Sequence, residues 1–156
     1  MSEKSFQSLQ DIFQVHQVEI AYLFGSQAKK TAGPLSDVDI AFIFNEEISP
    51  EEYFDKELQL AHALRARLQV GRVDLVNLAQ TQDPLLRYRA VLDGQLIYAI
   101  DEKERFALED RAMKEYEDTK YLRQVQAHYL YQSAHQNQFG RSALLKTQGK
   151  KPHVTH

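Results

Sequence analysis

Three aspartates and one glycine–serine pair are the residues whose types and spacing could carry out chemistry. Gly25 and Ser26 directly follow the apolar stretch VEIAYLF, and after ten intervening residues come Asp37 and, two positions later, Asp39. Backbone N–H groups freed at such a strand end carry a partial positive charge, and a glycine lets them approach a ligand closely. The pattern predicts a phosphate site at Gly25 and Ser26, with Ser36 as a further candidate for contact with a nucleotide.

Asp37 and Asp39 lie two positions apart in a predicted strand. Both side chains therefore project from one face, with Cα atoms about 6.5–7 Å apart. Two carboxylates placed in this way repel each other unless a cation lies between them. Hard oxygen ligands favour Mg²⁺, with Mn²⁺ as the second choice, and a pair of such ions can stabilise both the entering and the leaving oxygen in a displacement at phosphorus.

Asp74 is the third candidate ligand, because it lies in the apolar stretch VDLV, where a charge is costly without a partner. If its strand lies beside the strand of Asp39, its carboxylate can reach the same metal pair and help to deprotonate an incoming hydroxyl. Plainer alternatives stay open at this stage. They are a simple Gly-Ser turn, a solvated Asp-x-Asp strand end, and an ion pair of Asp74 with Arg72 or Arg87.

The surrounding sequence predicts alternating helices and strands. Strands are expected where β-branched and aromatic residues cluster, and helices where apolar residues recur every three or four positions. The predicted strands are 18–24, 37–44, 72–78 and 95–100, and the predicted helices are 5–16, 49–69, 83–92 and 101–136, with room for a short helix within 26–32. This order predicts an α/β (α+β) fold in which helices pack on a sheet.

The helix predicted over residues 49–69 has clear start and stop signals. Ser49 is expected as its N-cap, Pro50 as its first residue, Glu52 as the partner in a capping box, and Gly71 as its stop. Two apolar rows follow helical spacing, and both are predicted to be buried. These rows are Phe54, Leu58 and Ala61, and Leu60, Leu64 and Leu68.

Length and composition restrict the classes of protein. The 156 residues suit one domain, predicted over residues 1–139, and the net charge of −3 argues against nucleic acid as the main partner. No run approaches the ~20 apolar residues of a membrane span. Without cysteine and without an apolar leader, the expected location is the cytoplasm. Residues 140–156 are basic, lack acidic residues and are predicted to form a flexible tail.

At these motifs the chain resembles the nucleotidyltransferase superfamily that shares the palm of DNA polymerase β. The segment LFGSQAKKTAGPLSDVDIAFIF carries the Gly-Ser…Asp-x-Asp motif of that superfamily, and RVDLVNL is similar to the strand of its third carboxylate. The resemblance covers about residues 18–136. It implies a mixed four-stranded sheet with flanking helices and a long C-terminal helix, and it implies that Asp37, Asp39 and Asp74 are the catalytic, metal-binding residues.

The short length, the segment QDPLLRYRAVLDGQLIY and the long last helix resemble the minimal nucleotidyltransferase (MNT) branch, whose members pair with a HEPN-domain protein. The resemblance implies an antitoxin that uses ATP and Mg²⁺ to transfer AMP to a tyrosine hydroxyl of a HEPN ribonuclease toxin, with which it forms a hetero-oligomer. Two alternatives stay open. One is an antitoxin that neutralises its partner by covering it, and the other is a nucleotidyltransferase that acts on a small molecule.

Overall fold

A computed structural model describes residues 7–25 and 37–136 of the chain. Within them, four strands form one sheet in the order β3-β2-β1-β4. The strands are β1 (Val18–Phe24), β2 (Val38–Phe44), β3 (Val73–Asn77) and β4 (Gln95–Ala99). β1 is antiparallel to β2 and β4, whereas β3 is parallel to β2, which confirms the mixed four-stranded sheet.

The helices fall within the predicted segments. They are α1 (Gln10–Val15), α2 (Tyr53–Leu68), α3 (Pro84–Val91) and α4 (Glu102–His135), and a 3₁₀ turn (Pro50–Glu52) leads into α2. The first helix is shorter than the predicted span 5–16. The short helix expected within 26–32 and the tail expected at 140–156 lie outside the described residues.

Helices cover both faces of the sheet, so that the core has two parts. On one face, α1 and α2 bury the alternate strand residues Val38, Ile40 and Phe42 beneath Phe13 and Leu60. The other face is covered by α3 and by the beginning of α4. The residues of that second cluster are Ile20, Tyr22, Ala41, Leu78, Ala90, Val91, Leu108 and Ala112. Alternation along each strand therefore sends successive side chains to opposite halves of the core.

Only one of the two apolar rows predicted for α2 is buried. Leu60 and Leu64 are fully buried and Leu68 packs against the same cluster, whereas Phe54 and Leu58 are 72% and 56% exposed. The prediction that the Phe54 row is buried was wrong. A helix lying on a sheet covers only the stripe that faces the strands, and the second row lies outside that stripe.

Local capping explains where the helices begin and end. The Glu52 carboxylate accepts hydrogen bonds from the backbone N–H and the hydroxyl of Ser49, at 2.9 and 3.0 Å, which confirms the capping box. Asp83 caps α3 by accepting from the N–H groups of Leu85 and Leu86. The end of α2 differs from the prediction, because Gln69, and not Gly71, adopts the left-handed conformation with φ 53°.

The chain divides into two compact units, Met1–Tyr116 and Glu117–His156, and α4 extends from the first into the second. The first unit contains the whole sheet. Within the second unit, described residues 117–135 form the end of α4, and Gln136 follows it in a turn. The predicted domain boundary at residue 139 lies beyond the described residues and stays a prediction.

Candidate active site

Asp39 and Asp74 lie side by side at one end of the sheet, called here the aspartate end. The parallel pairing of β2 and β3 makes them register partners, so their Cα atoms are about 5 Å apart and their side chains leave the same face. Phe24 is the partner of Asp39 on its other side, in β1. Asp37 directly precedes β2, two residues before Asp39. The predicted adjacency of these strands is confirmed.

Gly25 ends β1 against the carboxylate of Asp39. A Cβ atom at this position would lie 2.5 Å from Oδ2 of Asp39, far inside van der Waals contact, and the backbone has φ +72°. A side chain here would therefore meet both the carboxylate and left-handed backbone strain. Because Gly25 has no side chain, the Asp39 carboxylate can occupy the space beside it. This role is additional to the predicted close approach of the backbone to a phosphate.

Arg72 places a cation at this end of the sheet. Its Nε donates a hydrogen bond of 2.7 Å to Oδ1 of Asp74, and its backbone carbonyl accepts from the N–H of Val38. The hydrogen bond and the charge of Asp74, together with the charges of Asp37 and Asp39, raise the pKa of Arg72. One guanidinium therefore lies within electrostatic reach of all three aspartates. Of the two ion pairs considered for Asp74, the pair with Arg72 is the one that forms.

The environment of the Asp39 carboxyl disfavours its ionised form. Burial raises its pKa, and the negative charges of Asp74 and Asp37 raise it further, against an opposing effect of Arg72. Burial and like charges both disfavour the ionised form of a carboxyl. The perturbation shows that the three carboxylates concentrate negative charge in one place, and a bound cation would relieve it.

Residues 7–103, more than half of the chain, match the sequence model of the family described as "Polymerase beta, Nucleotidyltransferase". The chain belongs to this family. The match contains β1 to β4, and with them Gly25 and all three aspartates. No curated protein matches the sequence of this nucleotidyltransferase.

Several solved structures share the fold. A toxin–antitoxin complex with AMP-PNP superposes with a TM-score of 0.66 at 20% identity, over 84% of this chain and 99% of that chain. A tri-AMPylated Shewanella oneidensis HEPN toxin in complex with MNT antitoxin gives 0.64 at 19% identity, over 84% and 99%. A toxin–antitoxin complex named MntA–HepT gives 0.62 at 18% identity, over 83% and 99%. At these identities the similarity establishes the shared fold of the nucleotidyltransferase.

The donor chemistry at the aspartate end fits the divalent metal that nucleotidyltransferases use. Carboxylate oxygens are the ligands that Mg²⁺ prefers, and Asp39 and Asp74 present them from adjacent strands. Within residues 7–25 and 37–136, however, no three His, Asp or Glu side chains already converge as a metal-holding group. One oxygen of Asp74 is engaged by Arg72 instead. The ligand roles of Asp37, Asp39 and Asp74 stay predictions.

Other candidate residues of the nucleotidyltransferase fall elsewhere. Ser26 and Ser36 lie outside the described residues. Arg87 is largely buried, pairs with Glu115, and donates to the carbonyl oxygens of Leu78 and Thr81. Since Leu78 follows the far end of β3, Arg87 holds α3 and α4 to that end of the sheet and does not contact Asp74. The contribution of Arg72 to all three aspartates is a feature that sequence reasoning missed; its position two residues before Asp74 was the available signal.

A cavity of about 470 Å³ lies at the opposite end of the sheet, called here the glutamate end. Its lining includes Glu19, Glu46, Leu78, Arg87, Glu104 and Leu108. Asp39 lies five positions before Phe44, the last residue of β2, or about 17 Å along the strand, and Glu46 follows in the turn beyond. The cavity and the aspartates of the nucleotidyltransferase are therefore separate features.

Among the described helices, none combines the length and the apolar character that crossing a membrane requires.

Proposed function

We propose that this nucleotidyltransferase is an MNT antitoxin that forms a complex with a HEPN toxin. In that complex it transfers AMP from ATP to the hydroxyl of a tyrosine on the toxin. One observation carries the proposal: in a chain of this family, Asp39 and Asp74 are register partners beside a glycine that leaves room for the Asp39 carboxylate. The solved complexes add support, since one contains an ATP analogue and another an AMPylated HEPN toxin.

The residues at the aspartate end have distinct parts in the proposed reaction. Backbone N–H groups at the Gly25 turn, with Ser26 and Ser36, bind the phosphates of ATP. Asp37 and Asp39, completed by Asp74, would hold Mg²⁺, with Mn²⁺ as a second choice. The bound ion would supply charge neutralisation on the triphosphate and acidify the acceptor hydroxyl. Positioning and charge neutralisation account for most of the rate enhancement in such transfers.

The transfer is a single displacement at phosphorus. The acceptor oxygen forms a bond to the α-phosphorus of ATP while the bond from that phosphorus to the bridging oxygen breaks, and pyrophosphate leaves. The proton of the acceptor hydroxyl passes to a carboxylate, for which Asp74 is the candidate because β3 is an edge strand and leaves its side open to an acceptor. Arg72, released from Asp74 when the site is loaded, remains near the entering negative charge.

A labelling experiment tests the proposal. The chain is mixed with its proposed HEPN partner, MgCl₂ and ATP labelled at either the α- or the γ-phosphate. We expect label on the HEPN protein from α-labelled ATP only, because the γ-phosphate leaves with pyrophosphate. Asp39→Asn should lower the rate at least ~100-fold, whereas Glu19→Gln, which removes a carboxylate at the glutamate end, should leave it within about twofold.

The remaining outcomes separate the alternatives. Transfer of the γ-label would contradict AMP transfer. Neutralisation of the toxin that survives Asp37→Asn together with Asp39→Asn, with the complex intact, would establish occlusion without catalysis. Release of pyrophosphate in the presence of a small hydroxyl compound, with no HEPN protein in the mixture, would establish a small-molecule enzyme.

A further inference from the structure

The end of α4 exposes large apolar side chains to an unusual degree. In the second unit, six such residues are between 46% and 73% exposed. They are Tyr121, Leu122, Val125, Tyr129, Leu130 and Tyr131. Single exposed apolar residues are ordinary, but a concentrated group of this kind indicates a surface that another molecule covers.

The charges of α4 change in the same place. Its first half packs Leu108 on the sheet and carries ion pairs such as Arg105–Glu109 and Lys114–Asp110. Residues 124–136, QVQAHYLYQSAHQ, contain no Asp, Glu, Lys or Arg. Depletion of charge with enrichment in tyrosine is the composition of the core of a protein interface. A solvated helix of this length would instead carry charged residues on its outer face.

The apolar residues are spread around the helix and do not form one stripe. At about 100° per residue, Tyr121, Val125 and Tyr129 lie within about 80° of one another. Leu130 lies about 140° from Val125 in one direction, and Tyr131 about 120° in the other. The pairing of two helices covers only one stripe, about 100° wide. A single partner helix would therefore leave Leu130 and Tyr131 in water.

The exposed apolar area is large enough for a stable interface. From the size and exposure of these side chains, all six together offer ~700 Å². A stable interface buries about 800 Å² on each partner, of which roughly 60% is apolar. The six side chains therefore supply the apolar area that a stable complex needs, and their spread around the helix requires an occupant that covers more than one side. Besides alanine and proline, the apolar residues of 137–156 are Phe139, Leu144, Leu145 and Val154, four against the six large side chains that need to be covered.

We propose that residues 117–135 insert into an apolar groove of the HEPN partner, so that walls of the groove cover both Val125 and Leu130. This inference rests on the proposed function for the identity of the partner. It assigns the binding of the toxin to the second unit, and the transfer of AMP to the aspartate end of the first unit. The recognition mode is that of a helix in a groove.

The test measures the affinity of the full chain for its proposed HEPN partner by isothermal titration calorimetry. Val125→Glu and Leu130→Glu, on opposite sides of the helix, should each weaken binding at least ~30-fold. Gln14→Glu introduces the same charge at an exposed position of α1 in the first unit, outside the proposed interface, and should stay within about threefold. All three positions are on the surface of a helix, and circular dichroism with the melting temperature verifies that each variant is folded.

Three outcomes would overturn the inference. Wild-type affinity in both apolar variants would show that the partner does not contact this helix. Loss with Val125→Glu alone, accompanied by dissociation of a homodimer in light scattering, would show that the helix pairs with a second copy. Binding at least ~10-fold tighter after removal of residues 137–156 would show that this segment covers the helix.

AMP transfer is measured on the same samples. If label is transferred while both variants bind normally, the proposed function stands without this interface; if the variants lose binding and no label is transferred by wild type, the interface stands without the enzyme.

Discussion

The two ends of the sheet both concentrate negative charge, but only at one of them do paired strands hold the carboxylates side by side. At the aspartate end, Asp39 and Asp74 are register partners on adjacent strands, and Gly25 leaves space beside them. At the glutamate end, burial raises the pKa of Glu19 and the charges of Glu104, Glu46 and Asp101 raise it further. These four acidic residues come from a strand, two loops and a helix.

The difference between the ends shows that repulsion among carboxylates does not by itself identify a cation site. Both ends contain an acidic side chain whose pKa is raised by burial and by its neighbours. At the aspartate end the separation of the carboxylates is set by backbone hydrogen bonds between β2 and β3, which do not relax when side chains move. At the glutamate end it depends on flexible side chains from separate elements. The first arrangement favours a shared cation site because the backbone holds the carboxylates close together before the ion binds, and the following predictions test that contrast.

The largest effect on stability is expected at Gly25. Gly25→Ala places a Cβ atom 2.5 Å from the Asp39 carboxylate in a backbone with φ +72°, and it should lower the free energy of unfolding by about 2–4 kcal/mol. Gly71→Ala is the matched control, because a Cβ atom there meets nothing within 4 Å. Urea denaturation measures both. If the two variants are equally stable, the Asp39 carboxylate does not occupy the space beside Gly25.

Substitutions at the two ends should change the pH dependence of stability in the same way, but only the substitution at the aspartate end should change the stabilisation by Mg²⁺ with ATP. The folded state raises the pKa of Asp39 above its ordinary value of 3.8, so it holds this proton more tightly than the unfolded chain does. Stability is therefore lost as the pH rises from the ordinary carboxyl pKa through the raised one, and the loss is complete at neutral pH. Asp39→Asn should raise the melting temperature of the metal-free protein at pH 7, and this gain should disappear below the ordinary carboxyl pKa.

Glu19→Gln should produce the same pH-dependent gain, since the pKa of Glu19 is raised in the same direction. Added MgCl₂ with ATP separates the two variants. Excess ligand should raise the melting temperature of wild type and of Glu19→Gln by several degrees, about 2–4 °C for each kcal/mol of binding linkage, and that of Asp39→Asn by much less. Equal ligand-induced shifts in both variants, measured by scanning calorimetry, would contradict a metal site at the aspartate end.

The smallest effect is expected from Arg72. Its guanidinium competes with a metal for Oδ1 of Asp74, and Arg72→Gln should tighten the binding of Mg²⁺ by a few-fold, because exposed ion pairs are weak. Lys114→Gln removes an equally exposed cation from its pair with Asp110 in α4 and should not change the affinity. Titration calorimetry with Mg²⁺ distinguishes them. Weaker binding in Arg72→Gln would mean that Arg72 orients Asp74 and does not compete with the metal.

Local signals in the sequence were enough for the elements of the fold. The cluster VEIAYLF predicted β1 at its observed bounds, and Ser49 with Glu52 predicted the capping box, since both depend on neighbours within a few residues. The same kind of reasoning failed for Phe54 and Leu58. Periodicity shows that a helix has apolar rows, but it does not show which row another element covers. The glycine just beyond the apolar pattern favoured Gly71 as the stop of α2, but Gln69 is the residue that takes the left-handed conformation.

By itself, the sequence determined the donor types of the candidate site, the strands that carry them and the family to which the chain belongs. Only the tertiary structure decided that Asp74 stands next to Asp39, that Arg72 and not Arg87 pairs with it, and that the space for the Asp39 carboxylate comes from Gly25. The physical reason is the distance along the chain over which each kind of interaction acts. Propensity and capping act within a few residues, whereas the pairing of β2 with β3 joins residues 35 positions apart along the chain, and a shift of one residue in that register would turn Asp74 to the other face of the sheet.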